Sequence, residues 1–463
     1  MSWKQESIDR LFNPESIAVV GASPRPESLG ALTFTALDKY RGKKYPVNPG
    51  HDNIDDMKCY ASILDIPYNV DLAILALGAP HVLGVMKECA EKGVKSAIIF
   101  AAGFKELGGK GTELQKNLKK VANNGKIAVI GPNCLGAGNV RKDINATFFP
   151  HPAPLDKGSV SVISQSGGVS GLMLYRASES GVGISKFASV GNRVNVDFND
   201  LLCYFNDDSE TEVICMFVEG TGDARLMYEE TKKITPNKDV VVYKVGKTPA
   251  SKKAALSHTG SLAGNAMLYS AALKQAGAIE VGSIQEMMDS AKVLSAQKIK
   301  AEGKRVAVIT HSLGIALIAA QTLEQHGMHL PEPSKKTVTA VRNLLDMPVE
   351  IPVSNPVDLL AKGWAEPDVF AKAFEIVLDD DAFDAILTVF SPNFQEGIGG
   401  GMPAEAVVEA KKNGNKPVVS VLNAPRSRIP QGKKILEAGG ISTFASPERG
   451  AIALSTLLAG RSA

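Results

Sequence analysis

Short apolar runs recur along the chain, each closed by a Gly, Ser or Asn turn and followed by a longer stretch with helical spacing. Ile17-Ala18-Val19-Val20 ends at Gly21, and a helix-compatible stretch opens at Ala31. Further runs at Leu72 to Leu77, Ala97 to Phe100 and Ile127 to Ile130 alternate with helical patterns over 80–92 and 110–124. Apolar runs without in-and-out alternation suit strands covered on both faces, and their alternation with helices predicts a parallel, doubly wound sheet. The ligand crevice of such a sheet lies at the carboxyl ends of its strands. Gly21, Ala22, Ser23, Asn48, Pro49, Gly78, Gly103, Asn133 and Cys134 are all expected there.

The pattern then repeats twice. After the connector His151-Pro-Ala-Pro154, the run Ser159 to Ile163 leads through Ser164-Gln-Ser-Gly-Gly168 into a helical pattern over 169–178. Strand candidates follow at Ile184 to Ala188, Val213 to Val218 and Val240 to Val245. From Lys304 on, runs at Val306 to Thr310, Ala385 to Phe390 and Val418 to Leu422 predict another such sheet. The expected fold is therefore α/β, three consecutive doubly wound parallel-sheet domains over 1–150, 151–299 and 300–463. Because all strand ends of a parallel sheet share one edge, Glu219, His258 and the helix start at Ser166 are expected to converge.

Composition narrows the class. In 463 residues there are 51 basic and 49 acidic side chains, a net charge of +2 that gives no whole-chain footprint for nucleic acid. The polar N-terminus and the lack of a long apolar run predict neither signal peptide nor membrane span, hence a cytoplasmic protein. Five cysteines form no Cys-x-x-Cys pair, so neither a metal site nor a disulfide framework is expected.

Three turns carry candidate chemistry. The first, Gly21-Ala-Ser23, departs from Gly-x-Gly-x-x-Gly, and the second strand ends in Asn48-Pro49 where a nicotinamide site has an acidic residue. Lys43 and Lys44 before it favour a more heavily phosphorylated ligand such as coenzyme A; the alternatives are an NAD-dependent oxidoreductase and an empty crevice. In the second, Ser166, Gly167 and Gly168 open a helix whose amides and dipole favour an anion, or are an ordinary serine cap. The third is the loop 251–264. Here Ser257, His258, Thr259, Gly260, Ser261 and Gly264 surround an imidazole that can attack a phosphoryl group and later release it. Such a loop is either a phosphoryl carrier, with Glu219 orienting the ring, or a Ser/Gly linker with a surface histidine. His311, at a strand end in the third unit, is a lesser candidate or a helix cap.

These residues resemble those of the NDP-forming acyl-CoA synthetases, which include succinyl-CoA synthetase, and most closely the α subunit of the ADP-forming acetyl-CoA synthetases. The motifs are Ile17-Ala-Val-Val-Gly-Ala-Ser23, Gly131-Pro-Asn-Cys-Leu-Gly136, Ser164-Gln-Ser-Gly-Gly168 and Ser257-His-Thr-Gly-Ser261, and the third unit with Asn355-Pro-Val-Asp-Leu359 selects the acetyl type. The resemblance implies a ligase that interconverts acyl-CoA, ADP and phosphate with acid, ATP and CoA. His258 would be the phosphorylated residue, Glu219 its orienting carboxylate, and Ser166 to Gly168, with Ser257, Thr259 and Gly260, the phosphate binders. Gly21, Ser23, Asn48 and Asn133 would line the CoA site, while Ala76-Leu-Gly-Ala-Pro80 departs from the Val-Pro pair common in relatives. ATP or ADP with Mg2+ would bind a separate ATP-grasp β subunit, in an α2β2 assembly whose phosphorylated loop moves between sites. A CoA-sensing module with a vestigial histidine loop is the remaining alternative.

Overall fold

Val, Ile and Leu in unbroken runs bury best in strands that have helices on both faces, and the chain uses them so in three sheets. The computed structural model describes residues 2–149, 154–251, 266–297, 303–391, 403–412, 414–424 and 430–460. Two compact units emerge, Met1–Ala291 and Lys292–Ala463.

The first sheet consists of β1 (Ser16–Val20), β2 (Lys43–Val47), β3 (Leu72–Leu75), β4 (Ser96–Ile99) and β5 (Ala128–Ile130). All are parallel, in the order β2-β1-β3-β4-β5. Helices α1 (Trp3–Phe12), α2 (Leu29–Ala36), α3 (Ala79–Lys92) and α4 (Gly109–Asn124) belong to it. The start of α2 sits so close to the turn after β1 that a Cβ on Gly30 would lie 2.2 Å from the Gly21 carbonyl oxygen. Gly21 itself has φ +89°, the left-handed region that glycine enters without steric cost.

The second sheet contains β6 (Gly136–Asn139), β7 (Ile144–Thr147), β8 (Lys157–Ser164), β9 (Ile184–Ser189), β10 (Val213–Val218), β11 (Asp239–Lys244) and β12 (Ile279–Glu280). Its order is β12-β11-β10-β8-β9-β6-β7. The five strands from β8 onward are parallel, but β6 and β7 form an antiparallel hairpin on the β9 edge. That hairpin corrects the expectation of a wholly parallel sheet: residues 136–147 precede the connector yet pair with the second sheet. Helices α5 (Gly167–Ser180), α6 (Phe198–Asp207), α7 (Ala224–Ile234), α8 (Ala266–Gln275) and α9 (Ile284–Ala296) follow.

One hydrophobic cluster runs through this unit, from Ile8, Phe12 and Ile17 to Phe198, Met216 and Val242. Polar ties reinforce it. The Asn195 side chain accepts from Val129 N–H at 2.9 Å and donates to the Ile127 carbonyl at 2.8 Å, while Asn192 N–H donates to the Pro132 carbonyl at 2.9 Å.

The second unit holds a third parallel sheet, with β13 (Val306–Thr310), β14 (Val357–Asp358), β15 (Ala385–Phe390), β16 (Val418–Leu422) and β17 (Ser442–Phe444) in the order β14-β13-β15-β16-β17. Its first helix is α10 (Leu313–Gln325). Numbering the parallel strands within each sheet, all three show the order 2-1-3-4-5, which puts a crevice between the first and third strands of each, where the winding direction reverses. No described helix is long and apolar enough to cross a membrane.

Candidate functional site

Two cavities lie at the carboxyl ends of the strands in the first unit. A cavity of about 640 Å3 opens beyond β1 and β3, lined by Gly21, Ser23, Arg25, Ser28, Asn48 and His51 among others. Its floor is tight: a Cβ on Gly21 would lie 2.5 Å from the Ala76 carbonyl oxygen, so the backbone itself lines the crevice. Asn48 clamps the turn, donating from Nδ2 to the Ala22 carbonyl at 2.7 Å and accepting from Gly50 N–H at 2.8 Å. The predicted residues are not all here. Ala22 is fully buried, while Pro49 and Gly78 are exposed outside the lining. Nor do Lys43 and Lys44 carry the preference assigned to them. They pair with Ser16 and Ile17 at the far end of β2, and at about 3.3 Å per residue the four or five residues to Asn48 place them beyond reach. Arg25 and His51 are the basic side chains that border this cavity.

A second cavity, about 650 Å3, lies at the start of α5. Asn133 and Cys134, expected with the first group, border this one together with Ser166, Gly167 and Gly168. The local cause is the turn after β5. Asn133 takes φ +58°, its N–H donates to the Ala101 carbonyl at 2.8 Å, and the chain then crosses into β6. The Cys134 thiol is buried against the Ile99 carbonyl at 3.3 Å, and burial raises its pKa to about 12, which makes it an inert wall at neutral pH. Leu29 borders both cavities.

Ser166 caps α5, its Oγ accepting from Val169 N–H at 3.4 Å, and its carbonyl accepts from Ser164 Oγ at 2.8 Å. The amides of a first helical turn have no partner within the helix. Around Gly168 there is open space, since an added Cβ would meet nothing within 4 Å. An anion can therefore approach these amides at the positive end of the α5 dipole.

Glu219 follows β10, one strand over. Its N–H and that of Gly220 both donate to Gln165 Oε1, at 3.2 and 3.0 Å, and its carbonyl accepts from the buried Lys244 Nζ at 2.9 Å. Gln165 thus fastens the end of β8 to the end of β10, a role the motif alone did not reveal. Sequence reading also missed Glu106 as a support. Its carboxylate accepts from Gly103 N–H at 2.6 Å and from Asn192 Nδ2 at 2.5 Å, and Asn192 lines the cavity. Burial opposes charge on Glu106, but the hydrogen bonds from Asn192 and the Gly103 and Phe104 amides outweigh it and hold the carboxyl below its ordinary pKa. The aromatic pair Phe148-Phe149, which carried no motif signal, forms part of the cavity wall.

His258, with Ser257, Thr259 and Gly260, lies outside the described residues. The chain leaves β11 toward them through Lys244, immediately beside Glu219.

His311 does not cap α10. Its Nε2 accepts from Ser391 N–H at 3.2 Å, and the ring meets Phe390 edge-on with centroids 4.9 Å apart. Burial lowers its pKa, so the neutral ring is favoured, with its proton on Nδ1.

Known proteins share this arrangement. Residues 15–139 match the family model of a CoA binding domain, and residues 157–294 that of a succinyl-CoA ligase like flavodoxin domain. The α subunit of ADP-forming acetate–CoA ligase II of Pyrococcus furiosus is 36% identical over 454 residues, 97% of this chain and 97% of that one. ADP-forming acetate–CoA ligase I of Archaeoglobus fulgidus is 37% identical over 450 residues, but this chain spans only 63% of its length. An acetyl-coenzyme A synthetase of Ca. Korarchaeum cryptofilum, solved with phosphate and ADP, matches with a TM-score of 0.87 at 32% identity, covering 98% of this chain and 96% of that one. With a first sheet that matches a CoA binding domain, a second that matches a succinyl-CoA ligase like domain, and end-to-end likeness to an α subunit, this chain belongs to the ADP-forming acetate–CoA ligase family.

Proposed function

We propose that the chain is the acyl-transferring subunit of an ADP-forming acyl-CoA ligase, with His258 as its phosphoryl carrier. The observation that supports this most is the cavity at the α5 start. It joins an anion-binding helix terminus to a wall from the CoA-binding sheet and shares Leu29 with the crevice of that sheet.

In this reading the CoA moiety lies over Gly21, Ser23 and Asn48, with Arg25 near its phosphates, and the thioester passes Leu29 toward Asn133. A phosphate oxygen attacks the thioester carbonyl, the C–S bond breaks, and the thiolate leaves and takes a proton. The amides of Gly167 and Gly168 steady the phosphate and the acyl phosphate formed from it. A neutral ring nitrogen of His258 then attacks phosphorus, and the carboxylate of the product acid departs with the P–O bond electrons. Glu219 orients the ring and offsets the positive charge that grows on it. A terminal oxygen of ADP finally attacks the phosphohistidine, breaking the N–P bond to give ATP.

The nucleotide step belongs, in this proposal, to a second subunit of ATP-grasp type holding ATP or ADP with Mg2+, in an α2β2 enzyme of the cytoplasm. Two facts support a separate subunit: the three large described sheets are all doubly wound, and the Pyrococcus furiosus relative matched over 97% of its length is named a subunit. His258 must then serve two sites, which suits its setting among small residues.

The test is phosphorylation by acetyl-CoA and labelled phosphate. The expected label is acid-labile and sits on His258; a label that survives mild acid, or that persists in His258→Ala, overturns the mechanism. ATP is expected from ADP only once the nucleotide-binding subunit is added.

A further inference from the structure

The strand that leads toward His258 buries a cation where its own pattern calls for an apolar side chain. Val240 and Val242 of β11 belong to the hydrophobic core together with Met227 of α7 and Leu273 of α8. Side chains two apart share one face of a strand, so the next place on that face falls to Lys244, which is fully buried. Taking an ammonium out of water is costly unless its N–H groups are met. The pairing of β10 with β11 ends at the bond from Val245 N–H to the Val218 carbonyl, 3.1 Å long. Lys244 Nζ spans the place where the two chains then part, donating to the Glu219 carbonyl at 2.9 Å and to the Val245 carbonyl at 2.5 Å. It also lies 5.0 Å from the ring centroid of Tyr269 on α8, within reach of a cation–π attraction. Glu280 of β12 repeats the tie, its Oε1 accepting from Lys247 Nζ at 2.8 Å and from Ser270 Oγ at 2.7 Å. The chain on either side of the His258 segment, at Val245 and Lys247 before it and at Tyr269 and Ser270 after it, is thus fastened to one sheet edge.

From these ties we propose that Lys244 is a positioning residue for phosphoryl transfer, holding the turn that carries Glu219 against both roots of the segment that carries His258. The inference rests on the proposed function, in which Glu219 orients the His258 ring. Lys244 touches neither thioester nor phosphate in this reading and acts through Glu219. A carboxylate orients an imidazole only while its own backbone is fixed relative to that of the ring, and a misplacement of about 1 Å can cost on the order of 100-fold in rate. A lysine with a structural role alone would satisfy the same two carbonyls, but its loss would then lower stability without weakening the action of Glu219.

The experiment uses the full chain with acetyl-CoA and labelled phosphate, and reads kcat and KM of phosphohistidine formation beside urea denaturation. Lys244→Met keeps the length of the side chain and removes its charge and its donors. Its kcat is expected to fall about 10- to 100-fold, with KM for acetyl-CoA within about twofold of the parent and unfolding still cooperative. In a Glu219→Gln background the same change should cost at most about threefold more, because the group it positions is already gone. An unchanged kcat in Lys244→Met, or a loss that multiplies in full in the Glu219→Gln background, overturns the inference while leaving the ligase reading standing. Where the methionine variant does not fold, the half-buried Tyr269 carries the test. Tyr269→Leu, which removes the ring beside the ammonium, should lower kcat several-fold, whereas Tyr269→Phe keeps the ring and the rate; a leucine variant as active as the phenylalanine one overturns the inference. If the parent chain forms no phosphohistidine, the ligase reading fails and takes the inference with it.

Discussion

At the switch point of the second sheet Gln165 follows β8, and its side chain accepts the backbone N–H groups just beyond β10. At the switch point of the third sheet His311 follows β13, and its ring accepts the N–H of Ser391, just beyond β15. The two residues hold the same place in the same 2-1-3-4-5 winding and do the same mechanical work, tying the first strand's end to the third's. Ser166 and Ser312, one residue further on, are both N-caps, yet only Ser166 accepts a hydrogen bond from its helix. The outcomes differ because of what comes next. Gly167 and Gly168 leave the α5 amides open to a cavity, whereas Leu313 opens α10 and Phe370 and Phe390 close in on His311. The same winding thus sets a helix start beside the ends of the first and third strands in both sheets, and in the second sheet Gly168 leaves that start open.

The strongest way to break the contrast is to give the second sheet's turn a side chain of its own. Gly168→Asp places a carboxylate in the open space at the helix start, where it competes for the amides and repels phosphate. Phosphohistidine formation should fall by about 100-fold or more, the scale of losing an oxyanion donor, while thermal stability is kept or slightly raised, because an acid in the first turn favours the dipole. Labelling within a few-fold of the parent would remove the helix start from the mechanism.

Removing the tie itself should matter next. Gln165→Leu leaves two buried N–H groups without their acceptor, a loss of roughly 2–6 kcal/mol at about 1–3 kcal/mol each, measurable by urea denaturation. Gln165→His, which imports the third sheet's solution, should recover part of that loss. If the leucine variant were as stable as the parent, the tie would be incidental.

The smallest effect belongs to His311. Its pKa is lowered in the folded chain, so the unfolded chain takes up a proton first as pH falls. Stability is therefore full above the ordinary histidine value of about 6.5 and declines as pH drops from there through the folded value. The slope is at most about 1.4 kcal/mol per pH unit. Protonation at Nε2 also removes the acceptor for Ser391. His311→Asn, which keeps an acceptor and cannot titrate, should flatten this acid limb without changing phosphohistidine formation; a limb of unchanged slope would exclude His311 as its source.

Much of the frame was legible in the sequence because the signals are local. Unbroken apolar runs such as Val213 to Val218 carry their own strand propensity, and Ser166 before two glycines announces a helix start. What stayed hidden depends on distant parts of the chain. Gly136-Ala-Gly-Asn139 has little apolar character, and its pairing with β9, almost fifty residues on, is set by the edge that strand offers. Lys43 and Lys44 are close to Asn48 in sequence, yet an extended strand carries them away from the crevice. Phe148 and Phe149 became meaningful only when Phe100 and Tyr175 arrived beside them from other elements. The role of Gln165 needed the neighbouring strand to be known.

The β6–β7 hairpin has one more consequence. It begins from the first sheet's last strand and ends hydrogen-bonded into the second, so the wall carrying Asn133 and the helix start carrying Ser166 are parts of one casting. If thioester and phosphate bind there as proposed, no hinge has to bring them together, and little ordering has to be done when they arrive. On the proposed function such an enzyme works as a bench with a fixed vice, at which thioester and phosphate meet in one place.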